Sequence, residues 1–473
     1  MIDFTCSVVM EEENQASIAF PFEWKEGNHK KLMIQVELEE KVWLQYQLVD
    51  ANQEVRAQYV GGKTIQPVVV GETTKSTSPN TVPGPMPSGE WTLHVQVMGR
   101  EVTQKQVATI LLRNTEKNAK ADFGETWIDE TGEFVLNQYP WEEVKEETAR
   151  WYKGDFHTHT IASDGQMTRE DNVNQAEKQG LDFFVATDHN LVPTSWTPSP
   201  DLLVIPGIEI TAKKGHFNIL GVHQYPYVDQ DVASMETEEG IVDILKKTKE
   251  TGGLNSMNHP FLTEWKWLFT QTPLALIDTF EVWNDPTYAD NVQATEEALR
   301  TWDLLTNDGW TITGIGGSDS HLRPDETYPG STLPSLIGDP GTYVWSDENS
   351  ANALLRNVKQ GHVFVARENV RIDFQVDGHL PGSSLSDPSG DAQVTLQTNE
   401  PLIIQWVENG EVVHETIGKN DSYSFQWKTN SYSWLRVTVR KQDGTLIGFT
   451  NPVYYGRRNP SLHTWGDVLE RLD

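Results

Sequence analysis

Short apolar runs alternate with longer helical stretches between residues 151 and 367, and this alternation limits the chain to a few folds. Such runs predict buried strands, and repeated strand–helix units predict a parallel sheet or a barrel. The strand candidates are residues 183–186, 203–205, 218–220, 279–282, 311–315, 342–345 and 363–365. The helix candidates between them are residues 241–251, 289–305 and 350–360. We therefore expect an α/β domain here.

The segments on either side of this region are typical of β structure. Leu32, Ile34 and Val36 fall on one face of a strand, at a period of two residues. Asn409-Gly410 and Asp443-Gly444 lie between β-rich segments and predict hairpins. We expect an N-terminal β-sandwich-like domain at 1–115, a linker at 116–150, the α/β domain at 151–367 and a C-terminal β domain at 368–473. The N-terminal domain should be separable at the linker, whereas the C-terminal domain should dock tightly on the α/β domain.

Length and composition exclude several classes of protein. A chain of 473 residues is too long for one ordinary core, and it has no apolar run of about 18 residues that would span a membrane. Its first residues lack the basic start and apolar core of a signal peptide, and its one cysteine, Cys6, cannot form an internal disulfide. We therefore expect a cytoplasmic protein that does not associate with membranes.

The net charge of −32 indicates which partners the surface favours. Such a surface repels polyanions at long range, which argues against general binding of duplex nucleic acid. A small anionic substrate is still compatible with this charge, because bound metal ions can invert the local field. We expect a small-molecule substrate, and the sequence leaves the oligomeric state open.

Histidine and acidic residues cluster where the strand candidates end. His157 and His159 follow a strand candidate that ends at residue 156, and residues two apart in extended chain point to the same side. Similar residues come later in the chain, and most of them follow further strand candidates: Asp164, Asp188-His189, Glu209, His216, Asn258-His259 and Asp319-Ser320-His321. Each alone has an ordinary explanation, such as a solvated loop or a turn. Their shared position favours an active site, because sites in α/β barrels form at the carboxyl ends of strands.

In their order along the chain, these motifs resemble those of PHP (polymerase and histidinol phosphatase) domains, and the resemblance covers residues 151–367. Residues 215–221 and 280–284 further resemble the carbaryl-hydrolase-like (CehA/McbA-like) branch of that superfamily. The resemblance implies a distorted (β/α)7 TIM-like barrel that holds up to three metal ions. The flanking β-sandwich-like domains lie outside it.

The resemblance also implies a ligand set for each ion. The first ion would take His157, His159, Glu209 and Asp319. The second would share Glu209 and add His216 and His259, with His223 as a competing candidate for His216. The third would take Asp164, His189 and His321.

The ligand types fit metal-dependent hydrolysis. Imidazole and carboxylate without thiolate suit Zn, Mn or Fe, at two or three ions per chain. A carboxylate that bridges two ions holds a hydroxide ready for attack, so Glu209 and Asp319 are catalytic candidates. Asp188 joins them as a supporting residue, because Asp188 and Asn258 are placed to orient His189 and His259.

Substrate contacts are less constrained by the sequence. Lys213 and Arg323 flank ligand motifs and are candidates for binding a phosphate or carboxylate, although solvated surface charge explains them equally well. Asn284 ends a strand candidate and is a candidate for the pocket wall. Trp265 and Trp267 follow His259 and are candidates for a lid, with wall packing as the alternative.

The sequence therefore predicts a metal-dependent hydrolase, a phosphoesterase acting on a small phosphorylated compound. The runner-up is a carbamate or carboxylic ester hydrolase of the carbaryl-hydrolase type. A rival from another class is a non-catalytic scaffold that binds carbohydrate or protein, with the 17 tryptophans as stacking platforms.

Overall fold

A computed structural model describes residues 3–10, 18–25, 30–38, 44–61, 67–97, 106–118, 124–227 and 231–472. The N-terminal part forms two four-stranded antiparallel sheets, in the orders β1-β8-β3-β6 and β2-β7-β4-β5. Their strands are β1 (Asp3–Met10), β2 (Ile18–Trp24), β3 (Lys31–Leu38), β4 (Leu44–Val49), β5 (Val55–Val60), β6 (Val68–Gly71), β7 (Gly89–Val97) and β8 (Gln106–Asn114). Leu32, Ile34 and Val36 are buried in the core between the sheets, as their alternation predicts. The arrangement is sandwich-like.

The middle of the chain alternates strands and helices, which confirms the α/β class. Its strands are β9 (Glu125–Thr126), β10 (Arg150–Asp155), β11 (Phe183–Ala186), β12 (Ser195–Trp196), β13 (Leu203–Ala212), β14 (Gly215–Leu220), β15 (Leu254–Met257), β16 (Thr279–Asn284), β17 (Thr313–Gly317), β18 (Gly341–Ser346) and β19 (Val363–Ala366). Its helices are α1 (Arg169–Lys178), α2 (Glu238–Thr251), α3 (Asn291–Asp308) and α4 (Ala351–Lys359). Short 3-10 helices lie at Thr74–Ser76, Val232–Glu236, Thr263–Trp265 and Leu274–Leu276.

The sheet in this region is mixed rather than parallel. β10, β11 and β13 run parallel to one another, and so do β15, β16 and β17. β14 is antiparallel to both β13 and β15, and β18 is antiparallel to both β10 and β19. The prediction of a parallel sheet is wrong at β14 because β13 and β14 form a hairpin at residues 212–215. This connection is too short to contain a crossover helix.

The structure shows a large mixed sheet where we expected a distorted (β/α)7 barrel. Most of the described strands of this region belong to one fifteen-stranded sheet that continues from β17 through β10 to β19 and beyond, while β9 and β12 pair separately. The loop after β17 lies against the end of β10. There, the buried Asp155 carboxylate accepts hydrogen bonds from the backbone N–H groups of His157, Ser318 and Gly338. Asp155 thereby fixes three chain segments at one edge of the sheet.

The C-terminal part continues the same sheet with six of its strands, and its other three, β20, β22 and β25, form a separate sheet. Its elements are β20 (Arg371–Val376), β21 (Ser384–Leu385), β22 (Ser389–Gln397), β23 (Leu402–Glu408), β24 (Glu411–Gly418), β25 (Asn420–Gln426), β26 (Ser433–Arg440), β27 (Leu446–Thr450), β28 (Val453–Tyr455) and α5 (Trp465–Leu472). β27 pairs with β19, so a hydrogen-bonded ladder joins this part to the α/β part. The predicted hairpins at Asn409-Gly410 and Asp443-Gly444 are confirmed as the β23–β24 and β26–β27 turns.

A side-chain amide strengthens that connection. Asn451 accepts a hydrogen bond from the Gly314 backbone N–H (2.9 Å) and donates one to the Gly314 carbonyl (2.8 Å). The Asn451 side chain therefore pairs with both backbone polar groups of Gly314 in β17, as a neighbouring strand would. Asn451 is buried, and its amide also donates to the Val363 carbonyl, so it links β17 to β19.

The segment before β10 packs into the α/β core although it carries little regular structure. Trp127, Phe134, Leu136 and Tyr139 are buried in the same hydrophobic cluster as the central strands. The Tyr139 hydroxyl donates to a backbone carbonyl of β13 (2.8 Å). Among the described residues, no helix is long and apolar enough to cross a membrane.

Candidate metal centre

The predicted ligands converge at one edge of the mixed sheet. His157 and His159 follow β10, His189 follows β11, and His259 follows β15. Asp319 and His321 follow β17, while Asp164 lies in the loop before α1. Glu209 lies within β13 rather than after it, because that strand continues to residue 212. His216 reaches the same edge because β14 is antiparallel and therefore begins where β13 ends.

The Glu209 carboxylate lies at the centre of this cluster and is fully buried. It contacts five imidazole rings: His189 Nδ1 at 2.7 Å, His157 Nε2 at 3.2 Å, His216 Nδ1 at 3.2 Å, His159 Nε2 at 3.4 Å and His259 Nε2 at 3.5 Å. A single carboxylate among so many imidazoles is arranged as a bridging ligand would be.

Four overlapping groups of side chains have ligand atoms close enough to share an ion, within 4.8 Å of one another. They are His159–Asp164–His189–His321, His157–Glu209–His259, His157–His159–Asp319 and His189–Glu209–His216. Together they contain all nine residues proposed as ligands. His223 belongs to none of them; its ring stacks on Trp141 at a centroid distance of 3.8 Å.

Buried polar atoms without a hydrogen bond provide a test of whether metal ions fit. Among the described residues, His157 Nε2, both ring nitrogens of His159, Asp164 Oδ1, Glu209 Oε2 and His259 Nδ1 make no hydrogen bond of good geometry, although several of them lie close to other candidate ligands. Leaving a buried polar atom unpaired costs about 1–3 kcal/mol, so this concentration at one place needs a partner. Nitrogen and oxygen donors without thiolate form a ligand set suited to divalent transition metals. The residues present therefore fit the expected ions.

The carboxylates are held in their charged form. Burial raises the pKa of Glu209, but the surrounding His189 and His157 outweigh it and hold this pKa well below its usual range. Burial likewise opposes protonation of His321, yet the carboxylates of Asp164 and Asp319 raise the pKa of His321 to about 10. In the metal-free protein, His321 is thus protonated at neutral pH, and against the effect of burial the same acids raise the pKa values of His157 and His189.

Two rings in the cluster, those of His159 and His216, are held neutral. Burial lowers the pKa of His159 to about 4, and the neighbouring His321 and His189 add to that effect. Burial also lowers the pKa of His216 to about 4, against the attraction of Glu209. Neutral imidazole is the form that binds metal, so His159 and His216 are ready to coordinate at neutral pH.

Asp188 contacts a different partner from the one expected. Its carboxylate accepts hydrogen bonds from the Thr160 backbone N–H and hydroxyl (2.8 Å each) and from the Ser163 hydroxyl (2.7 Å). The His189 ring instead places its Nδ1 2.5 Å from Thr211 Oγ1. Asp188 therefore shapes the loop between His159 and Asp164, because its oxygens face that loop rather than the imidazole.

Asn258 also differs from expectation. Its side-chain amide donates to Glu209 Oε1 (3.1 Å) and to Asn218 Oδ1 (2.8 Å), so it supports the central carboxylate rather than His259. His259 is held through its backbone N–H, which donates to Glu281 Oε2 (2.8 Å). His259 has a positive φ of 26°, a conformation that is costly for a non-glycine residue and common at functional sites.

Glu281 is a site residue that the sequence analysis missed. Its Oε1 lies 3.0 Å from His157 Nδ1, which leaves His157 Nε2 facing Glu209 and Asp319. A Cβ on Gly317 would lie 2.5 Å from Glu281 Oε1, so only glycine allows this approach. The available signal was a carboxylate in the middle of an otherwise apolar strand.

A pocket of about 510 Å³ opens onto the cluster, a size typical of small-molecule sites. Lys213 and Asn284 line it, as expected, whereas Arg323 is exposed and lies outside its lining. Asn284 donates to Glu281 Oε2 and to Asp319 Oδ2, at 3.2 and 3.3 Å. It therefore connects the pocket wall to the candidate ligands.

One wall of the pocket is aromatic. Trp265, 36% exposed, lies at the mouth; its ring packs against Tyr288, which in turn packs against Tyr328. Trp267 is not part of a lid. It is 1% exposed, and its indole N–H donates to Thr272 Oγ1, so this residue is packed in the hydrophobic core and does not line the pocket.

No protein-family model matches the chain, and no curated protein matches it in sequence. A similar solved structure is a two-domain protein from Bacteroides vulgatus, described as containing a predicted PHP-like metal-dependent phosphoesterase. It is 19% identical with a TM-score of 0.38, and the match covers 66% of this chain and 99% of that one.

Two further solved structures are similar over 39% of this chain and 93% of their own. One is a candidate metal-dependent phosphoesterase from Bifidobacterium adolescentis, at 15% identity and a TM-score of 0.24. The other is an amidohydrolase from Chromobacterium violaceum with bound sulfate, at 11% identity and a TM-score of 0.21. These identities and TM-scores are too low to carry a functional argument. A functional conclusion must therefore come from the residues of this chain.

Proposed function

We propose that the chain is a metal-dependent hydrolase, a phosphoesterase that acts on a small phosphorylated compound. The convergence of nine imidazole and carboxylate side chains in one cluster, seven of which line a pocket, supports this function. We propose further that residues 151–367 form a distorted (β/α)7 barrel of the PHP type, in its carbaryl-hydrolase-like (CehA/McbA-like) branch. The motif order along the sequence supports this assignment.

The proposed ligand sets are those that the resemblance implies, and the four overlapping groups bring their members together, although His216 and His259 fall in different groups. His157, His159, Glu209 and Asp319 would hold one ion. Glu209 with His216 and His259 would hold a second, and Asp164 with His189 and His321 would hold a third. Bound divalent ions of this kind, Zn, Mn or Fe, supply a water of lowered pKa and stabilise negative charge on a reacting phosphoryl or carbonyl group.

The surrounding residues prepare this site. Glu281 selects the ring nitrogen that His157 presents, and Asn258 orients the Glu209 carboxylate. Lys213 brings a positive charge to the pocket, suited to a substrate phosphate or carboxylate. The aromatic wall shields the reacting group from bulk water, which strengthens electrostatic interactions in the site.

Metal analysis combined with a matched pair of substrates tests the proposal. Purified, metal-supplemented full-length protein is expected to carry at least two transition-metal equivalents and to hydrolyse an aryl phosphate faster than the corresponding aryl ester. Chelation should abolish hydrolysis, and re-addition of metal should restore it. Protein that binds no metal after supplementation would show the proposal to be wrong.

A carbamate or carboxylic ester hydrolase is the second candidate. The pocket favours it in one respect: Lys213 is the only lysine or arginine among the described residues that line the pocket, and the aromatic wall suits an uncharged substrate. Faster hydrolysis of the ester or carbamate in the same assay would select this function. Glycan binding that a chelator leaves unchanged, without hydrolysis of any substrate, would instead support the non-catalytic scaffold.

A further inference from the structure

The loop that follows β11 carries the candidate ligand His189 and is buried although it has almost no regular structure. Asn190, Leu191, Val192 and Thr194 are each at most 4% exposed. Irregular backbone normally runs over the surface, where water satisfies its polar groups. Here the N-terminal sandwich covers the loop, and the contacts between them are specific.

Gln58, on β5 of the sandwich, hydrogen-bonds the loop twice through its side-chain amide. Gln58 Nε2 donates to the Val192 carbonyl (2.6 Å), and the Val192 backbone N–H donates to Gln58 Oε1 (3.0 Å). This pair reproduces the two hydrogen bonds of a neighbouring strand. Gln58 thus satisfies both backbone groups of a buried residue three positions after His189.

An apolar contact reinforces this connection. Val60, two residues after Gln58, packs with Leu191 and Ala162 in a small separate cluster. Ala162 lies in the loop between His159 and Asp164, so one strand of the sandwich contacts both loops that supply Asp164 and His189.

Hydrogen bonds through Asn190 and Thr211 connect this loop to the His189 imidazole. The Asn190 side chain accepts a hydrogen bond from the Thr211 backbone N–H (2.9 Å), and its amide donates to the Thr211 carbonyl (3.2 Å). The Thr211 hydroxyl in turn lies 2.5 Å from His189 Nδ1. Asn190 has a φ of 50°, a left-handed conformation that the surrounding contacts must maintain.

We propose that Gln58 is a positioning residue for the metal centre, so that the N-terminal sandwich completes the ion site of Asp164, His189 and His321. This inference rests on the proposed metal-dependent function. Ligand position depends on the residues that orient it, and losing such support typically costs 10–100-fold in metal affinity.

Stepwise Zn²⁺ affinities of the full-length protein, measured by competition with a chromophoric chelator, test the proposal. Gln58→Met removes both hydrogen bonds and keeps a side chain of similar size. It is expected to lower the affinity for one of the bound Zn²⁺ ions by about 10–100-fold. The equivalents that do not use His189 should keep their affinity. Gln45→Met is the matched control, because Gln45 is buried to the same 4% exposure and its amide bonds Gln96 within the sandwich.

A second readout needs no metal. In the metal-free protein, Gln58→Met should speed amide hydrogen exchange at Val192 and its neighbours, while Gln45→Met should leave exchange there unchanged. Should Gln58→Met fail to fold, Val60→Ala loosens the same loop through the apolar contact and is expected to weaken the same equivalent.

The outcomes separate this inference from the proposed function. Wild-type protein without Zn²⁺ affinity would overturn the proposed function and this inference together. Wild-type affinity for every equivalent in both Gln58→Met and Val60→Ala would overturn the positioning role alone. An equal loss of affinity in Gln45→Met would also overturn it, since the effect would then come from general loosening of the sandwich.

Discussion

At the scale of single residues, Glu209 is the side chain on which the centre depends most. Its two oxygens contact five imidazoles, and it is the member shared by the groups that contain His259 and His216. The strand that carries it is buried on both faces, so the carboxylate has little freedom to move. A buried carboxylate needs compensation, which the protonated imidazoles and the hydrogen bond from Asn258 provide here.

Substitutions of Glu209 and Asp188 test whether the metal centre depends more on Glu209. Glu209→Gln keeps the size of the side chain but removes the charge that bridges the ligands, so metal content and activity should fall by more than about 100-fold. The Asp188→Asn variant should still bind the ions, with a metal affinity about 10–100-fold lower. The loss is smaller because this substitution affects only the hydrogen bonds to Thr160 and Ser163, in the loop before Asp164. Elemental analysis and chelator competition measure both variants. Equal and complete metal loss in the two would contradict these roles.

The pH dependence of metal binding follows from His321. Its pKa is raised to about 10 from a usual 6.5, so in the metal-free protein this ring stabilises the fold fully below pH 6.5, and that stabilisation is lost as the pH rises through 10. At pH 7 an entering ion must therefore displace its proton. Calorimetry of Zn²⁺ binding in buffers of different ionisation heat should show proton release, and affinity should fall as the pH is lowered. Identical heats in all buffers would argue against His321 as a ligand.

Some of these residues are predictable from the sequence and others are not, for physical reasons. His157 and His159 are recognisable because their spacing puts both rings on one side of an extended segment. Glu281 is not, because a lone carboxylate in a strand does not reveal that its partner, His157, lies on another strand. Asp188 was assigned the wrong partner for a related reason: sequence proximity suggested His189, whereas folding brought Thr160 closer.

At the scale of elements, strand positions were predicted better than strand directions. An apolar run indicates burial, but it carries no information on whether a neighbour is parallel, and so the reversal at β14 was missed. The segment at 116–150 shows the same limitation. Trp127 and Tyr139 have no periodic neighbours, yet tertiary contacts bury both in the α/β core, in the part of the segment that the structure describes.

The two tryptophans after His259 provide a test at this scale. Trp267→Ala should cost about 3–5 kcal/mol of unfolding free energy, because it empties a buried site against Phe217 and Phe269. Trp265→Ala should leave thermal stability nearly unchanged and should raise KM more than it lowers kcat, since this ring lies at the pocket mouth. Denaturant unfolding and steady-state kinetics compare the two variants. Similar losses of stability in both would place Trp265 in the core.

At the scale of the whole molecule, the four-part division remains a proposal, but the contacts change what truncation should do. A fragment that begins at residue 124 keeps Trp127 and Tyr139 and should fold, with weaker metal binding because Gln58 is absent. A fragment that begins at residue 151 loses those core residues and should aggregate. Size-exclusion chromatography and metal titration separate these outcomes. A soluble 151–473 fragment with wild-type metal affinity would support the sequence-based prediction of a separable N-terminal domain.

The two hydrogen bonds between Asn451 and Gly314 have a consequence for how the protein matures during synthesis. The backbone of β17, which leads to Asp319 and His321, obtains these partners only from a residue that the ribosome adds much later. Until Asn451 has been synthesised, the Gly314 backbone lacks these two side-chain hydrogen bonds. We therefore expect the nascent chain to remain unable to retain its ions, so that metal loading follows release from the ribosome.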